Sequence, residues 1–192
     1  MYRRGGAGWI EVVCGPMFSG KSEELIRRMV RVKIAKIPVQ VFKPGLDDRY
    51  SNAEVVSHSS LSVEAIPVDG SEQLLHLVED VTEVVGVDEG QFFDDGLVPV
   101  AEQLAAAGKQ VIVAGLDLDY LGRPFQPIPL LANRAEYVTK MLAVCHRCGG
   151  PANFTQRTVE SEDLVVLGAT DSYEARCRQC FDPGEAVQLT LE

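Results

Sequence analysis

The chain has 192 residues, of which 46% are hydrophobic and 24% charged, as in a globular chain able to bury a sizeable core. Its formal charge of −10 argues against a general role on DNA, RNA or an anionic membrane, because those partners favour a basic surface. No apolar stretch approaches the roughly 20 residues that span a bilayer, and Glu11 interrupts the segment that a signal peptide would need. We therefore expect a cytoplasmic protein without nucleic-acid or membrane partners.

Hydrophobic periodicity divides the first 115 residues into alternating strands and helices. The strands are predicted at 9–14, 38–43, 62–68, 83–89 and 110–115, and the helices at 21–35, 71–80 and 95–108. This alternation is typical of an α/β fold with a mainly parallel, doubly wound sheet.

The pattern changes after residue 115. A loop with prolines and aromatic residues, a short helix and a strand at 137–145 are followed by two cysteine pairs. We predict an N-terminal tail (1–8), an α/β domain (9–144), a small C-terminal domain (145–184) and a C-terminal tail (185–192).

A phosphate-binding motif lies between the first predicted strand and helix. "GPMFSGKS" fits G-x-x-x-x-G-K-[ST] without a mismatch. In this motif, glycines let backbone N–H groups converge on phosphate oxygens, the lysine reaches the β- and γ-phosphates, and the serine hydroxyl binds Mg²⁺. The α/β domain is therefore predicted to be of P-loop NTPase type, with the polyphosphate held by Gly15, Pro16, Met17, Phe18, Ser19, Gly20, Lys21 and Ser22.

Two acids at the end of the apolar run 84–87 could complete this site. Asp88 is predicted to hold Mg²⁺ through water, and Glu89 to act as a general base. Because successive side chains of a strand point to opposite faces, we expect the two acids to act differently. The alternative is a solvated acidic strand end. An Asp-Glu pair also occurs in ATP hydrolases, so it does not choose between water and another acceptor.

Two C-x-x-C pairs, Cys145/Cys148 and Cys177/Cys180, predict one structural Zn²⁺ with a closed coordination shell. Redox-active pairs are the alternative. Residues 149–176 form an unusually long insert between the pairs, and a loop fixed at both ends by one metal could cover a second substrate. His146 is predicted to be a non-ligand, and Cys14 a buried small hydrophobe.

The ordered set "GPMFSGKS", "DDRYS", "VDEGQFF", "GLDLDYLGRPF", "AVCHRC" and "SYEARCRQC" closely resembles the type II thymidine kinases, the cytosolic family with a zinc domain. The resemblance extends from about residue 9 to residue 181. It implies transfer of the γ-phosphoryl group of ATP to the 5′-hydroxyl of thymidine, giving dTMP and ADP for nucleotide salvage. It also implies feedback inhibition by dTTP and a homotetramer.

The resemblance also implies roles for individual residues. Glu89 would be the proton acceptor, and the ATP contacts beyond residues 15–22 would come from Asp47, Arg49, Asp88, Gly90 and Gln91. The thymidine pocket would be lined by Met17, Leu116, Tyr120, Phe125, Thr155, Leu164, Val165, Val166, Leu167, Gly168 and Tyr173. Tyr120 departs from the phenylalanine that is common there, and its added hydroxyl needs a partner or an exposed position.

Two other functions fit parts of the pattern. An ATPase of a DNA-handling machine would share the phosphate loop and acids, but this chain is short and acidic for that role. A zinc-ribbon binding module could use ATP only as a switch. The product formed with ATP and thymidine distinguishes the three: nucleoside monophosphate, free phosphate or neither.

Overall fold

The computed structural model describes residues 6–45, 54–56, 62–159 and 172–183. Its strands are β1 (Trp9–Cys14), β2 (Val39–Pro44), β3 (Glu54–Val56), β4 (Ser62–Glu64), β5 (Ile66–Val68), β6 (Val84–Val87), β7 (Gln110–Gly115), β8 (Tyr137–Lys140), β9 (Ala143–Val144), β10 (Pro151–Ala152), β11 (Phe154–Arg157) and β12 (Tyr173–Arg176). Its helices are α1 (Lys21–Ile34), α2 (Ser71–Leu77), α3 (Leu97–Ala106) and α4 (Ile128–Arg134).

Six strands form one parallel sheet in the order β5-β2-β6-β7-β1-β8. On one face, α1 buries Leu25, Ile26 and Met29 in an apolar cluster. On the other face, α2, α3 and α4 contribute to a second cluster. Because both faces are covered, β6 and β7 are buried along their whole length and read as continuous apolar runs. This arrangement confirms the predicted doubly wound α/β fold.

Two predicted strands are each two strands in the structure. The segment 62–68 divides at the buried Ala65: β4 pairs with β3, while β5 joins the main sheet as an edge strand beside β2. Pro67 is tolerated on β5 because one side of an edge strand needs no ladder donor. The segment 137–145 divides at Met141, whose N–H donates to the carbonyl oxygen of Cys14 at 2.7 Å. Beyond this point, β9 pairs with β10 instead of the main sheet.

Three other boundaries differ from the prediction. The helix predicted at 71–80 ends at Leu77, where Gln40 of β2 takes the next backbone groups: Gln40 Nε2 donates to the carbonyl oxygen of Leu77 at 3.0 Å, and Gln40 Oε1 accepts from the N–H of Glu79 at 2.9 Å. The helix predicted at 95–108 spans Leu97–Ala106. The strand predicted at 83–89 ends at Val87, and a 3-10 turn occupies Gly90–Phe92.

Residues 143–159 and 172–183 form a small lobe, here called the cysteine lobe. It contains two antiparallel pairs, β9–β10 and β11–β12. Its buried cluster consists of small side chains only: Ala143, Cys145, Ala152 and Ala175. Among the described residues, no helix is long and apolar enough to cross a membrane.

Candidate active site

The segment between β1 and α1 is a tight loop at the carboxyl end of the sheet. Its backbone adopts positive φ at Gly15 (147°), Phe18 (63°) and Gly20 (81°). A Cβ atom on Gly15 would lie 2.3 Å from the carbonyl oxygen of Met141, so only glycine fits there. The loop therefore has the curled backbone that the motif requires at its first and sixth positions.

The cation of this loop lies among carbonyl and carboxylate groups. Lys21 Nζ donates to the carbonyl oxygen of Pro16 at 2.8 Å, and Ser19 Oγ donates to the same oxygen at 2.8 Å. Burial lowers the pKa of Lys21, while the charges of Glu89 and Asp88 oppose that shift. Lys21 also begins α1, whose N-terminal N–H groups favour an anion. The loop, the helix end and Lys21 together suit a polyphosphate.

Asp88 is a buried carboxylate next to this loop. It is 6% exposed, and its Oδ1 accepts a hydrogen bond from Ser22 Oγ at 3.2 Å. Burial and the charge of Glu89 raise the pKa of Asp88 to about 7, although Ser22 and Lys21 act in the opposite direction. A hydroxyl and a carboxylate that converge in this way offer the oxygen ligands that Mg²⁺ prefers. The two residues therefore fit a magnesium site.

Glu89 does not lie on a strand, so the expectation that strand alternation separates it from Asp88 is wrong. Its backbone is left-handed, with φ 51°, and its side chain is exposed. Gln91 Nε2 donates to Glu89 Oε2 at 2.5 Å, and Gln91 Oε1 accepts from the backbone N–H of Leu116 at 2.9 Å. The left-handed backbone at Glu89, and not the alternation of a strand, exposes its side chain next to the buried Asp88.

The loop after β7 carries three of the residues predicted to line the acceptor pocket: Leu116, Tyr120 and Phe125. Asp119 braces this loop by accepting from the N–H groups of Leu121 and Arg123, both at 2.9 Å. The ring of Phe125 packs edge-to-face against Phe92, with ring centroids 6.2 Å apart. Local hydrogen bonds thus fix the loop at the same edge of the sheet as Glu89.

The cysteine lobe supplies two more described residues of the predicted pocket, and Met17 of the phosphate loop is the remaining one. Thr155 lies on β11 and Tyr173 on β12, in one antiparallel pair. Thr155 Oγ1 accepts from the backbone N–H of Met17 at 3.0 Å, which joins the lobe to the phosphate loop. Phe18 of the same loop packs against the small-residue cluster of the lobe and stacks on His146, with centroids 6.0 Å apart.

Arg157 was not found by the sequence analysis. Its guanidinium lies 3.6 Å from the ring centroid of Tyr120 and 5.6 Å from that of Tyr173, and Nη2 donates to the Tyr173 hydroxyl at 3.3 Å. The residue is 9% exposed. It therefore connects the loop after β7 with the β11–β12 pair. The sequence could have indicated Arg157 through its position two residues after Thr155, which puts both side chains on the same face of a strand.

Two groups of predicted site residues lie outside the described part of the chain. The first is the pair assigned to the nucleotide phosphates, Asp47 and Arg49. The second is the segment assigned to the thymidine pocket: Leu164, Val165, Val166, Leu167 and Gly168.

Four thiols converge in the cysteine lobe. The Sγ atoms of Cys145, Cys148, Cys177 and Cys180 all lie within 4.8 Å of one another. Burial opposes ionisation of the Cys145 thiol, yet backbone N–H groups, that of Cys177 first, lower its pKa to about 6. Convergence of four thiols on one point fits a tetrahedral metal ion better than two separate redox pairs. His146 is not part of this group.

The parallel sheet and the glycine-bounded loop before α1 define an α/β protein of P-loop NTPase type, here with an added lobe whose four cysteines could hold a metal ion. The family model described as thymidine kinase matches residues 8–181. A thymidine kinase from Rhodothermus sp. is 58% identical over 182 residues, which cover 94% of this chain and 85% of that protein. A thymidine kinase from Bdellovibrio bacteriovorus is 51% identical over 176 residues, which cover 92% of this chain and 86% of that protein. The chain belongs to the thymidine kinase family, as its motifs indicated.

Proposed function

We propose that this protein transfers the γ-phosphoryl group of ATP to the 5′-hydroxyl of thymidine, giving dTMP and ADP for nucleotide salvage. Membership of the thymidine kinase family supports phosphorylation of thymidine. The observation that supports the chemistry is the hydrogen-bonded pair of Ser22 and Asp88 beside Lys21. Glu89 directly follows Asp88 in the chain. This group of residues combines a polyphosphate cradle with an exposed carboxylate that would accept a proton.

The phosphate end of the reaction depends on the described residues before 143, which carry the main sheet and are here called the α/β lobe. Backbone N–H groups of 15–20 and Lys21 would bind the β- and γ-phosphates, with Lys21 exchanging the Pro16 carbonyl for a phosphate oxygen. Ser22 and Asp88 would hold Mg²⁺, which neutralises charge on the transferring group when bound. We assign further nucleotide contacts to Asp47, Arg49, Gly90 and the backbone of Gln91 on the family resemblance, because both ends of the Gln91 side-chain amide are bonded within the protein.

The acceptor end lies where the two lobes meet. Thymidine would lie near Met17 and Thr155 on one side and the Tyr120 loop on the other, with its 5′-hydroxyl toward Glu89. Glu89 would accept the hydroxyl proton as the oxygen attacks phosphorus. The base would be covered by the segment 164–168 and Tyr173. This arrangement holds the reactants in line, which is the main contribution that a protein makes to phosphoryl transfer.

The four cysteines would hold one structural Zn²⁺ that fixes both ends of the substrate loop. We further propose a division of the chain into an α/β domain (9–144) and a zinc domain (145–184). Inhibition by dTTP, a homotetrameric assembly and a cytoplasmic location complete the proposal by family resemblance.

Product analysis with labelled ATP and thymidine tests this function. The proposal requires dTMP and ADP in equal amounts and no phosphate release without thymidine. The control acceptor is 5′-deoxythymidine, which keeps the base and sugar ring but has no hydroxyl to phosphorylate. Thymidine-independent release of phosphate would indicate a hydrolase, and the absence of both products would indicate a binding module.

A further inference from the structure

Gln91 spans the space between Glu89 and the loop after β7. Its side-chain nitrogen donates to Glu89 Oε2 at 2.5 Å, and its side-chain oxygen accepts from the N–H of Leu116 at 2.9 Å. The partners determine the orientation of the amide, because a carboxylate only accepts and a backbone N–H only donates. Gln91 is therefore bonded through both ends within the protein.

The surroundings leave this side chain little freedom. Gln91 is 3% exposed, and a Cβ atom placed on Gly115 would lie 2.8 Å from its Oε1. Glu89, in contrast, is exposed and follows the last strand residue of β6 by two positions. An exposed glutamate on an irregular backbone samples several rotamers unless a neighbour selects one. The buried amide is placed to make that selection.

We propose that Gln91 is a positioning residue that holds the Glu89 carboxylate in its reactive orientation and ties it to the loop that carries Leu116 and Tyr120. The base and one wall of the acceptor pocket then keep a fixed relation to each other. This inference rests on the proposed role of Glu89 as proton acceptor. It differs from the nucleotide contact that the family resemblance implies, because both ends of the amide are already bonded within the protein.

Two substitutions at position 91 separate the bonds. Gln91→Met keeps the length and removes both hydrogen bonds. Gln91→Glu keeps an acceptor for Leu116 and replaces the donor to Glu89 with a second carboxyl group, whose charge also repels Glu89. We expect both variants to lower the single-turnover rate by about 10- to 100-fold, the range for a misplaced reacting group. The equilibrium Kd for ATP and for thymidine should change less than about threefold. Gln103→Met, on the exposed surface of α3, is the matched control and should keep the parent rate.

Gly115→Ala would displace the Gln91 side chain while position 91 keeps its glutamine. The added methyl group would lie 2.8 Å from Gln91 Oε1 and 2.7 Å from Cδ1 of the buried Ile128, so the free energy of unfolding of this variant is measured beside its transfer rate. The transfer rate should fall while position 91 still carries glutamine. If Gln91→Met fails to fold, Gln91→Glu still provides the test.

A double-mutant cycle decides whether Gln91 acts through Glu89. Once Glu89→Gln has removed the base, adding Gln91→Met should lower the rate by less than about threefold, because the positioned group is gone. Full additivity would overturn the inference, as would a parent-like rate in Gln91→Met. A parent-like rate in Glu89→Gln would instead reject the proposed base and Gln91 with it. If Glu89→Gln transfers slowly but Gln91→Met has the parent rate, the positioning role of Gln91 is rejected and the role of Glu89 as base is kept.

Discussion

The α/β lobe packs large aliphatic side chains on both faces of its sheet, whereas few buried apolar side chains are described in the cysteine lobe: Ala143, Cys145, Ala152, Phe154, Tyr173 and Ala175. Burial contributes roughly 25 cal/mol per Å² of apolar surface, so apolar packing contributes less to the second lobe than to the first. A cross-link would stabilise so small a core, and four converging thiols are placed to provide one through a metal ion.

The same difference divides the chemistry. The phosphate loop, Asp88 and Glu89 belong to the lobe held by apolar packing. The contacts of Thr155, His146 and Arg157 come from the cysteine lobe. We therefore expect changes in the α/β lobe to act on transfer, and changes in the cysteine lobe to act on substrate binding and local stability.

The largest expected effect is that of Lys21→Ala. The lysine is the cation of the phosphate loop, so its loss should lower kcat at saturating ATP by at least about 10³-fold, which corresponds to about 4 kcal/mol of barrier. The matched control is Lys33→Ala in the last turn of α1, an exposed position that should be neutral. Near-normal turnover of Lys21→Ala would show that the loop is not the catalytic phosphate cradle.

Loss of one cysteine should affect the cysteine lobe more than the α/β lobe. Cys148→Ser removes one of four ligands, so bound zinc should fall from one per chain and amide exchange should rise in β9–β12 before it rises in β6 and β7. Thymidine affinity should drop by at least about tenfold. ATP affinity should drop less, through the Met17–Thr155 contact.

Cys14→Ala is the control for this experiment, because Cys14 is buried at the end of β1 and lies outside the four-thiol group. It should keep the zinc content. Absence of zinc from the metal-replete parent, or disulfides in a reducing preparation, would reject the structural metal.

A smaller effect is expected where the lobes touch. Arg157→Met keeps the length of the side chain and removes the cation over Tyr120, so the KM for thymidine should rise about tenfold with kcat within about threefold. Tyr120→Phe keeps the ring and should change KM by less than about threefold. A kcat loss as large as the KM change would place Arg157 in the transfer step.

The smallest effect concerns pH and the α/β lobe alone. The pKa of Asp88 in the folded protein, about 7, is above its ordinary value of 3.8, so the folded state binds the proton more tightly than the unfolded state. Its contribution to stability is fully present below about pH 4 and is lost as the pH rises through about 7. In metal-free protein, Asp88→Asn should flatten this loss.

Asp94 is the control, because its contribution to stability should change with pH in the opposite direction. Hydrogen bonds from Ser71 lower the pKa of Asp94, so its contribution is present above the ordinary pKa and lost in acid. Urea unfolding followed at several pH values would show both trends. An Asp88→Asn protein with the parent's slope between pH 4 and 7 would contradict the assignment.

Local patterns predicted what local physics determines. The sheet, the phosphate loop and α1 follow from apolar runs, glycines and charge order within a few residues. The convergence of four cysteines follows from paired spacing with one ligand chemistry. The helix at 71–80 was predicted too long because Gln40, 37 to 39 residues away, bonds the carbonyl oxygen of Leu77 and the N–H of Glu79.

The site details depended on tertiary contacts. The left-handed backbone of Glu89 follows from where β6 ends in the sheet, which apolar periodicity does not reveal. The position of Arg157 over Tyr120 joins residues of two lobes, and Arg157 lies in none of the motifs that the sequence analysis used. Gln91 was assigned through the family resemblance, but its two bonds to Glu89 and Leu116 require the folded chain.

Single-turnover phosphorylation of thymidine by Glu89→Gln, measured beside equilibrium binding of ATP and thymidine, tests the central claim most directly. Glutamine keeps the size of the side chain but accepts a proton poorly, so transfer should slow by about 10²- to 10⁴-fold while both affinities stay close to the parent's. A rate near the parent's, or a loss explained entirely by failure to bind thymidine, would show that Glu89 is not the proton acceptor.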